Sequence, residues 1–182
     1  MFRTLDLLAS TLGLLLLSPL LLIILIAGFF DTGSPIFIQV RVGKNKEPFK
    51  LVKFRTMKLE TKSVASHLTD STSITKLGTI LRKTKIDELP QLINVAKGEM
   101  SLVGPRPNLF NQETLIKARD SLGVYDVLPG ITGLAQIKNI DMSTPDLLAK
   151  TDQEMIQHFT LKMYFKYIVM TIAGGGSGDA VK

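Results

Sequence analysis

From Leu7 to Phe30 the chain is almost wholly apolar. This run of roughly 24 residues exceeds the about 20 that a helix needs to cross a bilayer. A cleavable signal peptide carries an apolar stretch of only about 7–15 residues, and no small-residue cleavage site follows Phe30. The simple reading is one transmembrane helix, and two features argue against it. Ser18-Pro19 falls in the middle of the run, where proline removes a backbone hydrogen bond and kinks a helix. Basic residues flank both ends, Arg3 before it and Arg41, Lys44 and Lys46 after it. The positive-inside tendency holds such flanks in the cytoplasm. A helix that enters the membrane, bends at Ser18-Pro19 and returns to the same face meets both conditions. A single span with a proline kink is the alternative, because such kinks occur in true spans.

Composition narrows the possibilities for the remainder of the chain. A length of 182 residues suits one domain plus, at most, an appendage. The net charge is +6, a balance that suits nucleic acid, an anionic membrane surface or phosphate-bearing substrates. There is no cysteine, which excludes disulfides, thiolate catalysis and cysteine metal sites. His67 and His158 are far apart and show no metal-ligand spacing.

Ile36, Phe37, Ile38, Val40 and Val42 form a strand pattern, Gly43-Lys44-Asn45-Lys46 reads as a turn, and a second strand runs from Phe49 to Met57. In that second strand Lys50, Lys53 and Arg55 are interleaved with Leu51, Val52 and Phe54. They are either a solvated face or a phosphate-facing ribbon. Lys58 to Ser73 is polar and reads as a mobile loop, and a short helix comes after it, from Ile74 to Lys83.

Next comes Arg82-Lys83-Thr84-Lys85-Ile86-Asp87-Glu88-Leu89-Pro90-Gln91-Leu92. Leu89, Leu92, Ile93 and Ala96 have the spacing of an amphipathic helix, and Gly98 stops it. Proline is tolerated only in a helix's first turn, so Pro90 places the start near Ile86 or Asp87. Asp87 and Glu88 then lie at the positive end of the helix dipole, which favours ionised carboxylates and bound anions. Helix capping alone accounts for the pair equally well at this point.

Arg106 stands between Pro105 and Pro107. An arginine on so stiff a loop loses little freedom when its fork of donors grips a phosphate. Asn111 to Ser121 reads as a helix, and Pro129-Gly130-Ile131-Thr132-Gly133 as a turn entering a strand-like stretch through Gln136. Thr144 and Pro145 start a helical pattern that continues, with a break, to about Ala173. Its second part sets Lys162 and Lys166 among Phe159, Phe165 and Tyr167, a composition suited to the membrane interface. Gly174-Gly175-Gly176-Ser177-Gly178 reads as a flexible tail.

These segments together resemble the small monotopic phosphoglycosyl transferases of the bacterial sugar transferase family. The resemblance rests on Ser18-Pro19, Gly33-Ser34-Pro35-Ile36-Phe37, Lys53-Phe54-Arg55-Thr56-Met57, Leu77-Gly78 and Arg82. It continues through Asp87-Glu88-Leu89-Pro90-Gln91-Leu92-Ile93-Asn94-Val95, Lys97 to Pro107, and Pro129 to Gln136. The resemblance implies transfer of a sugar-1-phosphate from a UDP-sugar to undecaprenyl phosphate, on the cytoplasmic face of the bacterial inner membrane. It implies an N-acetylhexosamine or deoxy derivative as the sugar, and a role in surface-polysaccharide biosynthesis (O-antigen, capsule or exopolysaccharide). It also implies Asp87 as nucleophile and metal ligand, Glu88 as general base, and Mg²⁺ (magnesium) as cofactor. Lys53, Arg55, Arg82, Arg106 and Asp152 become the substrate- and phosphate-binding candidates. The implied fold is α+β, mostly helical with a small β-hairpin: residues 1–33 a re-entrant membrane helix, 34–173 a cytoplasmic catalytic domain with interfacial helices, and 174–182 a flexible tail.

Two departures stand out. Many family members carry arginine where this chain has Leu128. They also carry paired aromatics after the C-terminal aspartate, where Asp152 is followed by Gln153-Glu154-Met155-Ile156. Rival readings are assembly of a glycoprotein glycan, a non-catalytic membrane scaffold, and a membrane-anchored nucleic-acid binder. The last gives no reason for the Asp87-Glu88 pair, so no nucleic-acid partner is expected.

Overall fold

The structure, a computed structural model, describes residues 2–61 and 71–176. Most of the expected mobile loop, His67 and the tail beyond Gly176 lie outside the described residues.

β1 (Ile36–Val42) and β2 (Pro48–Phe54) form the expected antiparallel hairpin. The register sets Phe37 opposite Lys53, Gln39 opposite Leu51 and Arg41 opposite Phe49. Strand side chains alternate between faces, so Gln39, Arg41 and Lys53 share one face with Phe49 and Leu51. All five are buried. On the opposite face Ile38 and Val40 are exposed, while Val42 and Phe54 at its ends are buried.

α2 (Lys76–Thr84) packs tightly on the segment after β2. A Cβ at Gly78 would lie 2.1 Å from the Thr56 carbonyl oxygen, so only glycine fits that approach. α3 (Gln91–Lys97) closes the free edge of β2 with one side chain. Asn94 accepts a hydrogen bond from the Val52 amide at 3.1 Å and donates to the Lys50 carbonyl at 2.7 Å. Phe49, Leu51, Val95 and Met100 form the core between hairpin and helix.

Two expectations are corrected here. The acidic pair does not open the long central helix. Lys85 takes the left-handed conformation (φ 58°) and ends α2, Ile86–Glu88 form a separate 3₁₀ turn, and α3 begins after Pro90. Nor does the strand-like stretch reach Gln136. β3 (Ser101–Val103) and β4 (Gly130–Thr132) form a short parallel pair, and Leu134–Ile137 is a helix, labelled α5 once α4 (Glu113–Ser121) is counted. Four residues are too few for periodicity to separate helix from strand. The β3–β4 crossing needs glycine on both sides: a Cβ on Gly130 would meet the Gly104 amide nitrogen at 2.0 Å.

α6 (Pro145–Gln157) begins at Pro145 as expected, although Thr144 makes no side-chain cap. α7 (Leu161–Ile172) buries Tyr164 and Tyr167 and exposes Leu161, Phe165, Val169 and Ile172 along one face.

α1 (Phe2–Thr32) is one helix through Pro19, long and apolar enough to cross a membrane. Proline at 19 leaves the Leu15 carbonyl without its amide donor. The Ser18 hydroxyl supplies the replacement, donating to that carbonyl at 2.8 Å. Both halves of the helix are tied to the same body. Near its start, Arg3 donates to the Val95 and Ala96 carbonyls at the end of α3. Asp6, buried, accepts from the Leu102 amide at 2.9 Å and the Tyr164 hydroxyl at 2.8 Å. Burial and then the Asp6 hydrogen bond and charge push the Tyr164 phenol well above its ordinary range. Near the other end, Leu21 and Ile24 pack with Phe54 and Leu81. Between them Leu15, Leu16, Ser18, Pro19 and Leu20 are exposed.

Candidate active site

The 3₁₀ turn holds Asp87 and Glu88 in place between two helices. Both carboxylates are buried, at 2% and 6% exposure. Arg106 reaches across from the loop after β3 and donates from Nη2 to Glu88 Oε1 at 2.6 Å. A charge-assisted contact this short is among the stronger hydrogen bonds available to side chains. The loop starts at the Gly104–Gly130 crossing, so the two glycines decide where Arg106 begins. Lys53 on the buried face of β2 lines a small recess together with Arg106, Gln91 and Arg41. The structure thus gathers Lys53, Glu88 and Arg106, with Asp87 on the same turn as Glu88.

Lys85, one step ahead of that turn, adds positive charge. Burial lowers its ammonium pKa; Glu88 works against the shift and Arg106 adds to it. Its Nζ donates to the Gly175 carbonyl, so the glycine segment after α7 folds back to the edge of the site.

Three other candidates are bonded to partners within the fold. Arg55 donates from Nε to the Ser34 carbonyl at 2.8 Å and from Nη2 to the Ile36 carbonyl at 3.3 Å, with its guanidinium over the Phe37 ring. It fastens the hairpin to the linker that leaves α1. Arg82 donates from Nε to the Thr56 hydroxyl at 2.8 Å. Asp152 is fully buried in α6, where Arg119 donates to its Oδ2 from Nη2 at 2.7 Å and from Nε at 3.0 Å. Burial pushes the Asp152 carboxyl up and Arg119 pulls it part of the way back.

The site thus sets two adjacent buried carboxylates beside an arginine bonded to one of them and a lysine from the hairpin. The family model for bacterial sugar transferases matches residues 1–175. The chain belongs to the bacterial sugar transferase family. Among its relatives, EpsL of Bacillus subtilis, named an uncharacterized sugar transferase, is 37% identical over 93% of this chain and 84% of its own. A UDP-glucose:undecaprenyl-phosphate glucose-1-phosphate transferase of Caulobacter vibrioides is 36% identical over 93% of this chain and 67% of its own. One of the same name from Escherichia coli is 38% identical over 95% of this chain, but the match spans only 39% of that longer protein.

This sugar transferase domain also places residues that its sequence did not announce. Gln39 lies inside the expected first strand and Arg41 is one of the basic flanking residues, and neither stands out alone. Their i, i+2 spacing, with Lys53 across the turn, was the available signal, because it puts three polar side chains on one face. Arg119 and Gln91 gave no signal, since neither differs locally from an ordinary helical polar residue.

Proposed function

We propose that this domain is a phosphoglycosyl transferase, moving a sugar-1-phosphate from a UDP-sugar to undecaprenyl phosphate through a covalent intermediate on Asp87. The observation that carries this reading is the buried Asp87-Glu88 turn with Arg106 bonded to Glu88. An Asp87 carboxylate oxygen attacks the sugar-proximal phosphorus, the bond to the distal phosphate breaks, and uridine monophosphate leaves. An oxygen of undecaprenyl phosphate then attacks the same phosphorus, the aspartyl bond breaks, and Glu88 takes the proton from the attacking phosphate.

Anion attacking anion requires positive charge, which Arg106 and Lys53 supply from fixed positions. The donor set also fits Mg²⁺, which is commonly held by one or two carboxylates plus substrate phosphates. No group of three or more acidic or histidine ligands occurs among the described residues. Asp87 would hold the ion with the donor's phosphates completing its shell, and the bound ion would neutralise charge on the diphosphate.

The membrane part rests on α1. Both of its halves attach to one polar body, so we place both ends on the cytoplasmic face of the inner membrane, with the Ser18-Pro19 region dipping into the bilayer. The exposed apolar face of α7 lies at the interface. Cysteines at Thr4 and Lys44, both exposed, should be equally shielded from an impermeant reagent in intact cells. Labelling at Thr4 alone would establish a spanning helix.

Resemblance suggested an N-acetylhexosamine or deoxy donor. The names of the Caulobacter and Escherichia relatives contain UDP-glucose, and a Streptococcus agalactiae relative is named a galactosyl transferase. A UDP-hexose is therefore the second reading, and both belong in the donor screen.

The deciding experiment is a single turnover without lipid. Enzyme and donor should release nucleoside monophosphate in an amount no greater than the enzyme present, with a phosphosugar mapping to Asp87. Asp87→Asn should form no adduct and show no turnover. Glu88→Gln should form some adduct and stall its transfer. An active Asp87→Asn variant, or release that strictly requires lipid, overturns the covalent reading.

A further inference from the structure

Arg106 must meet Glu88 and a substrate phosphate from a loop, and loops are the mobile part of a fold. Its flanking prolines fix their own φ angles but leave the intervening backbone free to swing as a unit. The carbonyls of the loop remove that freedom. Pro105 O accepts from the Gly130 amide at 2.9 Å, Arg106 O from Arg119 Nη1 at 2.8 Å, Pro107 O from Arg41 Nη1 at 3.0 Å, and Asn108 O from the Val42 amide at 2.9 Å. Four successive carbonyls are held by four different residues, on β4, α4 and β1.

Two of those donors are buried guanidinium groups, Arg41 at 7% and Arg119 at 1% exposure. Each is braced in turn. Arg41 Nη2 donates to Gln39 Oε1 at 2.6 Å, and Arg119 is held by Asp152 and by Asn108 Oδ1 at 2.9 Å. Arg41 lines the recess shared with Lys53, Gln91 and Arg106, but its two terminal nitrogens are already given to the Pro107 carbonyl and Gln39.

We propose that Arg41 and Arg119 are positioning residues for Arg106, gripping the loop backbone from the hairpin side and the helical side so that the Arg106 fork stays in register with Glu88. This rests on the reading of Arg106 as a group that serves the reacting phosphates. Arg41 serves two acceptors at once and Arg119 three, which the planar fork of arginine can do and the single ammonium of lysine does poorly. A misplacement of about 1 Å can cost roughly 100-fold in rate, so a clamp distant from the reacting atoms still affects turnover.

The test uses the full chain in detergent or nanodiscs: Arg41→Met, Arg41→Lys, Arg106→Lys, and Arg41→Met combined with Arg106→Lys. Nucleotide release is measured alongside hydrogen exchange at the Val42 and Gly130 amides, whose acceptors are the loop's outer carbonyls. Arg41→Met should lower kcat by about 10- to 100-fold, with Arg41→Lys recovering only part. The double variant should be within about 2-fold of Arg106→Lys alone, because a residue acting through another adds little once that other is changed. Exchange should speed at Val42 and Gly130 while the amides of α6 keep their protection. Multiplying losses in the double variant, or unchanged exchange at both amides, overturns the proposal. General loosening that reaches α6 in both Arg41 variants also overturns it, since Arg41 would then be an ordinary core residue. Exchange does not depend on turnover. Absence of nucleotide release from wild type would therefore reject the proposed activity, while the clamp itself would still stand or fall on the exchange data.

Discussion

Two guanidinium–carboxylate pairs lie on either side of the Arg106 loop, with nearly equal contact distances and different surroundings. Arg106 meets Glu88 at 2.6 Å, with 22% and 8% of the side chains exposed. Arg119 meets Asp152 at 2.7 Å, with 2% and 1% exposed. Arg119 also serves the Arg106 carbonyl and Asn108, so four of its contacts are inside the protein. The distance between the charges therefore does not distinguish a site pair from a structural pair. What distinguishes them is whether the cation opens on space that a ligand can enter, and how much of its hydrogen bonding the fold already uses.

The largest expected effect comes from breaking the buried pair. Asp152→Ala leaves the Arg119 guanidinium uncompensated in the interior, which costs about 3–5 kcal/mol. A domain of this kind has only about 5–15 kcal/mol in total, so the midpoint of chemical unfolding should drop sharply. Pairing that change with Arg119→Met should recover part of the loss, because no buried charge then remains. A shift of less than about 1 kcal/mol in Asp152→Ala would mean the pair behaves like a surface bridge, and the contrast with Glu88–Arg106 would lose its basis.

The converse holds at the more open pair. Arg106→Lys keeps the charge beside Glu88 and loses the fork, so stability should change by about 1 kcal/mol or less while turnover falls roughly 100-fold. Stability and activity should thus separate: Asp152→Ala chiefly unfolds, and Arg106→Lys chiefly inactivates. Equal proportions of both losses in the two variants would erase the distinction.

The same contrast shows what the sequence could reveal. The hairpin and α1 were legible because each depends on neighbours in the chain, through alternation or apolar length, whereas Asp87 and Glu88 were legible as a pair ahead of a proline but not as a turn of their own. Arg106 was legible as a residue stiffened by two prolines, although its partner Glu88 was not. Arg119 and Asp152 are 33 positions apart, and no local pattern joins them. Asp152 consequently entered as a substrate contact through resemblance, and only the fold gives it a partner. The sequence separates the helix ending near Lys83 from the next one but starts that next helix at Ile86 or Asp87, whereas a left-handed Lys85, chosen by tertiary packing against local preference, makes Ile86–Glu88 a 3₁₀ turn and moves the helix start past Pro90. The parallel β3–β4 pair was missed because three-residue strands have no detectable period, although Gly104 and Gly130 marked the close approach.

A third buried carboxylate sharpens the comparison with the smallest expected effect. Asp6 is held by neutral donors, the Leu102 amide and the Tyr164 hydroxyl, with no cation among its hydrogen-bond partners. Removing one neutral donor costs about 1 kcal/mol, more if a buried acceptor goes unsatisfied. Tyr164→Phe should therefore cost less than either arginine–carboxylate disruption and leave nucleotide release intact at neutral pH. Its signature is alkaline. The Tyr164 phenol is raised above its ordinary value by burial and by Asp6, so the folded state keeps that proton where the unfolded chain gives it up. The corresponding stability is fully present below about pH 10, the unfolded tyrosine value, and declines as pH rises beyond it. Tyr125 and Tyr167 are shifted the same way, both chiefly by burial, so wild type and variant should both weaken as pH rises above about 10. Tyr164→Phe should weaken by less, because one of the three shifted phenols is gone. Parallel losses over that range would show that Tyr164 ionises as easily when folded as when unfolded, and that the tie between α1 and α7 does not depend on its proton.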